Sequence, residues 1–323
     1  MIKVELVQAS RIDYQAYASF QKDAYRDHLV QSGATDSHMT PEFYHWKYHT
    51  PAGEGRIAVV KEGEKIISSS AMMPLRVHAK NSSLIGWHCL DVATLPQARK
   101  RGLFLSTLRA LKDSVEEKEI FFAFPNAKSI PSFLKLDCRE NVILTTWVNP
   151  CASLIRHTFN EIKESNKFGP EHDVFIKESL PDGPMLERCS EYLNWRYTNH
   201  PNNRYAIFSY EQNNRCQGFA VARKAHVMGR DLVLVMELWG RNHSIEVKLL
   251  KHIAAWTIKQ GEKLLAMMNT SMPLFFAIQA SFLPIPSFFL PKRQILVLNA
   301  RGQKKEYLIK NKWKIQTGDW DVF

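Results

Sequence analysis

Between Asp91 and Asp113 the sequence reads DVATLPQARKRGLFLSTLRALKD, and the order of residue types is that of an anion site. A β-prone run ends at Pro96, and a loop follows with Arg99, Lys100 and Arg101. Gly102 stands where a turn calls for a residue without Cβ, and apolar Leu103, Phe104, Leu108 and Leu111 open a helix at once. The first N–H groups of a helix have no intrahelical acceptor and lie at the positive end of its dipole, so this junction suits a pyrophosphate. Just upstream stand two groups that could take a proton, His88 and Asp91. Histidine as a residue type titrates near neutral pH without help, which makes His88 the better poised candidate, and its other reading is a histidine hydrogen-bonded inside a sheet. Asp91 is either a base or a structural acceptor where the strand bulges. Asn126, in the run AFPNAKS, either offers a side-chain amide or caps a helix.

The elements that must position these residues can be read from periodicity. Strands are expected at about 55–62, 65–78 and 83–94, a long helix at about 101–118, and a further strand at 119–124. The pattern then repeats. PEFYHWKY (41–48) echoes SEYLNWRY (190–197), so that Trp46, Lys47 and Tyr48 stand over Trp195, Arg196 and Tyr197. At the same offset IAVV (57–60) falls on AIFS (206–209) and the turn KEGEK on YEQNN. AFPN then falls on AMMN (266–269) at an offset shorter by six residues, a loss located where the first half carries its glycine loop. In the second half 231–239 reads as a strand and 244–260 as its helix. ESNKFGPEH (164–172), polar and containing Gly-Pro, is expected to be a linker.

The bulk numbers agree with two domains. The chain has 323 residues, 45% hydrophobic and 23% charged, more than one core usually accommodates. MIKVELVQASRIDYQ lacks the basic and apolar regions of an export signal, so a cytoplasmic location is expected. Apolar stretches are too broken to span a bilayer, and 272–291 reads as core or an interface. Five cysteines without a CxxC pair fit reduced thiols and neither a disulfide framework nor a zinc site, and no metal is expected. The net charge of +11 attracts polyanions of any kind, including a phosphorylated cofactor. No GxSxG, HExxH, GxGxxG or Walker loop is present, which leaves hydrolase, metalloprotease, dinucleotide and nucleotide-triphosphate readings without support.

The strand end DVATLP and the six residues Arg99 to Phe104 resemble the GNAT superfamily of acyl-CoA transferases, whose signature is (Arg/Gln)-x-x-Gly-x-(Gly/Ala) after a Val-x-Pro-like strand end. They are most similar to the subgroup with an RGKGLF-like loop, and Phe104 departs from the usual small last residue. WKYHTPAGEGRIAVVKEGEKIISSSAMMPLRV, FFAFPNAKSIPSFLKLDC and the terminal WKIQTGDWDVF extend the likeness. The resemblance implies an α/β (α+β) chain of two GNAT-like domains, each a mixed, mostly antiparallel central sheet flanked by helices. Residues 1–160 would carry the pyrophosphate loop, and 161–323 would be a degenerate domain without it, on the acceptor side.

The implied function is N-acyl transfer from acetyl-CoA or another acyl-CoA to a small amine, such as an amino sugar or an amino-acid derivative. Pantetheine would pair with the backbone of Val92, Ala93 and Thr94, the pyrophosphate would sit on residues 99–104, and Asn126 would stand near the thioester. His88 or Asp91 would serve as base. Where many members place a tyrosine acid, this chain has Phe133. Asp319, Trp320 and Asp321 would contact the acceptor, and the terminal carboxylate of Phe323 would act as in tandem relatives of the enhanced-intracellular-survival type. Two alternatives stand beside this: an inactive acyl-CoA-binding or sensing module, and a transferase using aminoacyl-tRNA, although nucleic acid is not the expected partner.

Overall fold

The structure is a computed structural model. It describes the chain except residues 1–2, 33–34, 80–81, 152–157, 228, 271, 287–289, 291–293, 303–304 and 321–323. The chain divides into two units, the first drawn from Met1–Asn141, His200–Asn202 and Ile295–Asn311. It opens with strand β1 (Glu5–Gln8), helix α1 (Tyr14–Ser32) and helix α2 (Pro41–Tyr48), which Pro41 starts and whose Thr40 cap accepts from Phe43 N–H. Strands β2 (Arg56–Glu62), β3 (Lys65–Ala79) and β4 (Ser82–Thr94) follow as an antiparallel meander. Helix α3 (Leu103–Asp113), strand β5 (Ile120–Ala123), helix α4 (Ile130–Leu134) and strand β6 (Arg139–Ile143) complete the run. The sheet order is β1-β2-β3-β4-β5, then Ile295–Ala300 from late in the sequence, then β6.

Strand β3 lies inside the sheet between β2 and β4 and is buried almost throughout. Its three fully buried serines are satisfied on alternating faces. Ser68 and Ser70 bond Thr94 and Thr107, each at 2.8 Å, and Ser69 bonds the Tyr17 phenol on α1 at 3.2 Å. The expected strands and helix are present to within a few residues, except that α3 stops at Asp113, where Ser114 turns its hydroxyl back onto the Leu111 carbonyl.

The second unit uses strand β7 (Thr145–Pro150), strand β8 (Ile162–Ser165), helix α5 (Pro170–Glu178), a turn of α-helix at Ser190–Leu193 that widens into a π-helix at Asn194–Thr198, and strands β9 (Ala206–Gln212), β10 (Arg215–Val227) and β11 (Arg230–Gly240). Helix α6 (His243–Lys259), strand β12 (Leu264–Asn269), helix α7 (Leu274–Gln279) and strand β13 (Leu283–Pro284) follow. Its sheet runs β8-β9-β10-β11-β12-β7-β13. Ile295–Ala300 is strand β14. Along the two sheet orders, β14, from the second half of the sequence, lies between β5 and β6, and β7, from the first half, lies between β12 and β13.

The segment 164–172 is not a linker. It ends β8, which pairs with β9 as β1 pairs with β2, and it begins α5. Its polarity is that of an edge strand exposing Lys163 and Glu164, while Phe168 and His172 are buried. The apolar stretch 272–291 divides its described residues, with Phe276, Ala277 and Phe282 in the core and Leu274, Phe275 and Ile278 exposed. No helix among the described residues is long and apolar enough to cross a membrane.

Candidate functional site

The site begins where two parallel strands part. Strands β4 and β5 pair from Gly86 with Ile120 to Cys89 with Ala123, and β4 then continues to Thr94 held by β3 alone. Residues 90–94 thus present a backbone edge that no strand covers on the β5 side, with the Val92 carbonyl accepting from Tyr25 Oη at 3.2 Å. The eight residues 95–102 lead from this edge to α3. Lys100 and Gly102 take positive φ, 64° and 76°, and no side chain caps the helix start. A Cβ built on Gly102 would meet nothing within 4 Å, so the space before the helix is open. Arg99, Lys100 and Arg101 are exposed around it. Arg99 lies near Asp27, Arg101 pairs with Glu62 at 2.6 Å, and among the described residues Lys100 pairs with no carboxylate. Leu103 is buried and Phe104 is half-buried against the core that includes Leu108, Leu111 and Phe121, which accounts for a large residue in a place where the signature has a small one.

The candidate bases sit on either side of the parting. His88 is buried, stacked on Phe122 at 4.9 Å and edge-on to Phe124 at 5.4 Å. Asp91 occupies a bulge with φ 49°. Its carboxylate accepts from Lys47 Nζ at 2.9 and 3.0 Å and from Tyr48 Oη at 2.6 Å. Burial and the adjacent Asp91 charge push the Tyr48 phenol well above its usual range, so it remains a donor. Tyr48 in turn meets Tyr17 at 3.0 Å, and Gln21 Nε2 donates to Tyr17 at 2.8 Å and to the Asp91 carbonyl at 3.3 Å. Of the two readings the sequence leaves open for Asp91, a base or a structural acceptor of backbone N–H groups at a bulge, the second describes part of what is seen. The bulge is there, but its carboxylate accepts from the Lys47 and Tyr48 side chains, the residues of the repeated W(K/R)Y motif.

Asn126 is exposed and uses its side-chain oxygen as a cap, accepting from the N–H groups of Lys128 and Ser129 at 3.0 Å each. Phe133 packs in the core against Phe121. All five cysteines are free, and burial pushes the Cys89 thiol well above its usual range and Cys138 up to about 12, so neither is a thiolate at neutral pH.

The same place in the second unit is built differently. Strands β11 and β12 also run parallel and pair from Val233 to Val235, but only Arg241 and Asn242 separate β11 from α6. The connection is six residues shorter than in the first unit, within the stretch over which the repeat offset falls. Asn242 caps α6 by accepting from Ile245 N–H at 3.1 Å, closing the helix start that α3 leaves open. The Asp91 position is taken by Glu237, which accepts from Tyr197 Oη at 2.6 Å, from Trp239 Nε1 at 2.9 Å and from Arg188 Nε at 2.9 Å. Asp319 is buried and paired with the other end of Arg188. Trp320 is 9% exposed, and Asp321 and Phe323 lie outside the described residues.

A mixed sheet whose central parallel strands splay, with a basic glycine loop leading from one of them into a helix, is the architecture of the GNAT acyltransferases. Residues 6–138 match the family model described as Acetyltransferase (GNAT) domain, and the chain carries a GNAT domain there. No curated protein matches the sequence. A GCN5-related N-acetyltransferase from Anabaena variabilis ATCC 29413 is similar with a TM-score of 0.66 at 12% identity, over 97% of this chain and 82% of that one. A tandem GNAT protein from the clavulanic acid biosynthesis pathway is similar at 0.59 and 12% identity, over 93% and 99%. Saccharomyces cerevisiae N-myristoyltransferase, solved with bound myristoyl-CoA, is similar at 0.60 and 9% identity, over 95% and 87%. Likeness at these identities is one of fold, and it extends over both units.

Proposed function

We propose that this protein is an acyl-CoA-dependent N-acyltransferase with a single acyl-donor site, in the first unit, and a small amine as acceptor. The observation that carries the reading is the continuity from the uncovered edge of β4, through the positive-φ loop, to the open start of α3. The edge offers N–H and C=O groups to the amides of pantetheine, and the helix start with Arg99, Lys100 and Arg101 offers N–H groups and charge to the pyrophosphate. In the second unit the corresponding loop is reduced to two residues and the helix start is capped, which argues for one site per chain. His88 is the proposed base. An imidazole can take an ammonium proton near neutral pH, whereas a carboxylate already accepting from an ammonium and a phenol is a poor proton acceptor.

Isothermal titration with CoA and acetyl-CoA tests the site, with one equivalent per chain expected and two equal sites contradicting it. Gly102→Glu puts a side chain and a negative charge into the open space before α3, so binding should be lost. An unchanged affinity would move the donor elsewhere. The buried Phe133 favours a second reading, an acyl-CoA binder without turnover, because it leaves no hydroxyl at that place to protonate a thiolate. Release of free CoA thiol with a panel of amines separates the two.

A further inference from the structure

In the second unit the wedge between β11 and β12 is filled by residues 313–320. Gln316 lays its carboxamide along Leu238, with Oε1 accepting from the Leu238 N–H at 2.7 Å and Nε2 donating to the Leu238 carbonyl at 3.1 Å. On the other wall Thr317 Oγ1 accepts from the Met268 N–H at 2.8 Å and donates to the Met268 carbonyl at 3.3 Å. Two adjacent side chains thereby satisfy a donor and an acceptor on each of the two strands, groups that parting strands would otherwise leave without a strand partner. Gln316 is 4% exposed and Thr317 fully buried. The segment is fixed at both ends. Arg196 donates to the Gly318 carbonyl and Arg188 to the Asp319 carboxylate, while Thr270 brackets Ile315 through its N–H and hydroxyl.

The position of this contact within the fold is specific. Glu237 and Asp91 each accept from the tyrosine of the repeated motif, so Leu238, next in sequence, lies in the stretch of β11 that corresponds to the uncovered edge 90–94 of β4. Val92 belongs to the edge on which the acyl-donor reading seats pantetheine. A carboxamide offering one acceptor and one donor to the N–H and C=O of a single strand residue presents the same pair of groups as a pantetheine amide. The phosphate end of the second site is gone, since its loop is two residues long and Asn242 caps the helix, but the amide end persists with an occupant.

We propose that residues 313–320 are the resident ligand of the second unit's wedge, Gln316 and Thr317 making the contacts that a pantetheine amide makes in the first. The second unit is thus closed to acyl-CoA by its own chain. The identity given to the displaced group rests on the reading of the first unit as the acyl-donor site.

The test is residue-resolved amide hydrogen exchange on the full chain, comparing wild type with Gln316→Ala/Thr317→Val and with the milder Gln316→Met, which keeps the shape without the hydrogen bonds. Exchange at Leu238 should accelerate about tenfold in both variants, and at Met268 in the double variant, the worth of one hydrogen bond. Millimolar pantetheine should restore protection at these amides in the double variant and leave them unchanged in the wild type. The proposal is overturned if Leu238 keeps its protection in both variants, if pantetheine already protects Leu238 in the wild type, or if it fails to protect the double variant. CoA-dependent protection at residues 92–94 reports separately on the first unit, so failure of that reading is seen independently.

Discussion

Tyr48 donates its phenol proton to Asp91 at 2.6 Å, and Tyr197 repeats the bond to Glu237 at the same distance. In both units the register of the two central antiparallel strands slips beside the carboxylate, and in both the strand carrying it then parts from its parallel neighbour. The pair occurs in the unit that has the loop and in the unit that lost it. Its common task is therefore to tie the preceding helix to the strand that opens the wedge. This is why the aromatic motif outlived the loop.

Tyr48→Phe should destabilise the first unit without moving Lys47. It leaves one carboxylate oxygen of Asp91 short of a donor, a cost of about 1–3 kcal/mol. Asp91→Ala should cost more, about 3–5 kcal/mol, because it removes the carboxylate that faces the almost entirely buried Lys47 ammonium. Chemical denaturation of the two variants orders them, and equal stabilities would contradict the account.

His88→Ala should lower turnover with little change in CoA affinity and remove a limb near neutral pH from the rate profile. Wild-type turnover in the variant would return the role to Asp91. Titration calorimetry together with a pH series of initial rates separates binding from proton transfer.

Gly318→Ala should be among the most damaging single methyl additions. The added Cβ would collide with the Tyr197 phenol and lie 2.7 Å from Glu237 Oε1, inside the buried cluster that holds residues 313–320. Overpacking of this kind costs about 1–3 kcal/mol, and a domain of this size loses about 2–4 °C of Tm per kcal/mol. Gly102→Ala meets open space and should cost only the strain of its positive φ, about 1–2 kcal/mol. Thermal unfolding of both variants compares a collision with a backbone preference.

Acid should weaken the second unit through two histidines, His172 buried and His252 half-buried. Burial lowers the affinity of His172 and His252 for a proton below the ordinary histidine value of 6.5. The unfolded chain then binds protons that the folded one refuses, so their contribution is present above pH 6.5 and is lost as pH falls through the depressed folded values. Asp319 acts in the opposite sense, since burial raises its carboxyl to about 6, and protonation on the acid side of that value favours the folded form. The clean window is therefore pH 7.5 to 6, where stability should fall and His172→Gln should flatten the slope. Denaturation midpoints across that window measure it.

Much of the first unit was legible because its signals are local. A glycine with positive φ between a basic loop and an apolar helix face is written in consecutive residues, and so is the six-residue shortening of the second loop. Longer-range facts left no such mark. A strand's alternation states which face is buried and not which strand it pairs with, so nothing in TTWVNP or ILVLNA announced that each joins the other half's sheet. The carboxylate of Asp319 read as an acceptor contact because its partner, Arg188, lies far away in sequence and gives no hint of burial. Lys47 and Tyr48 were conspicuous as a repeat, yet their target was visible only once the bulge brought Asp91 beside them.

The crossing of β7 and β14 sets a timetable for synthesis. When the ribosome has made β6, the first sheet still lacks the strand that lies between β5 and β6, and that strand begins at Ile295. At elongation rates of about 5–20 residues per second, the gap stays open for roughly 8–30 s. Throughout that interval two facing strand edges wait for a partner encoded some 150 residues downstream, and any extended segment of another nascent chain is a competitor for the slot. The second sheet has no such delay, since β7 is already made when β12 emerges. The sheet begun first is therefore the sheet completed last.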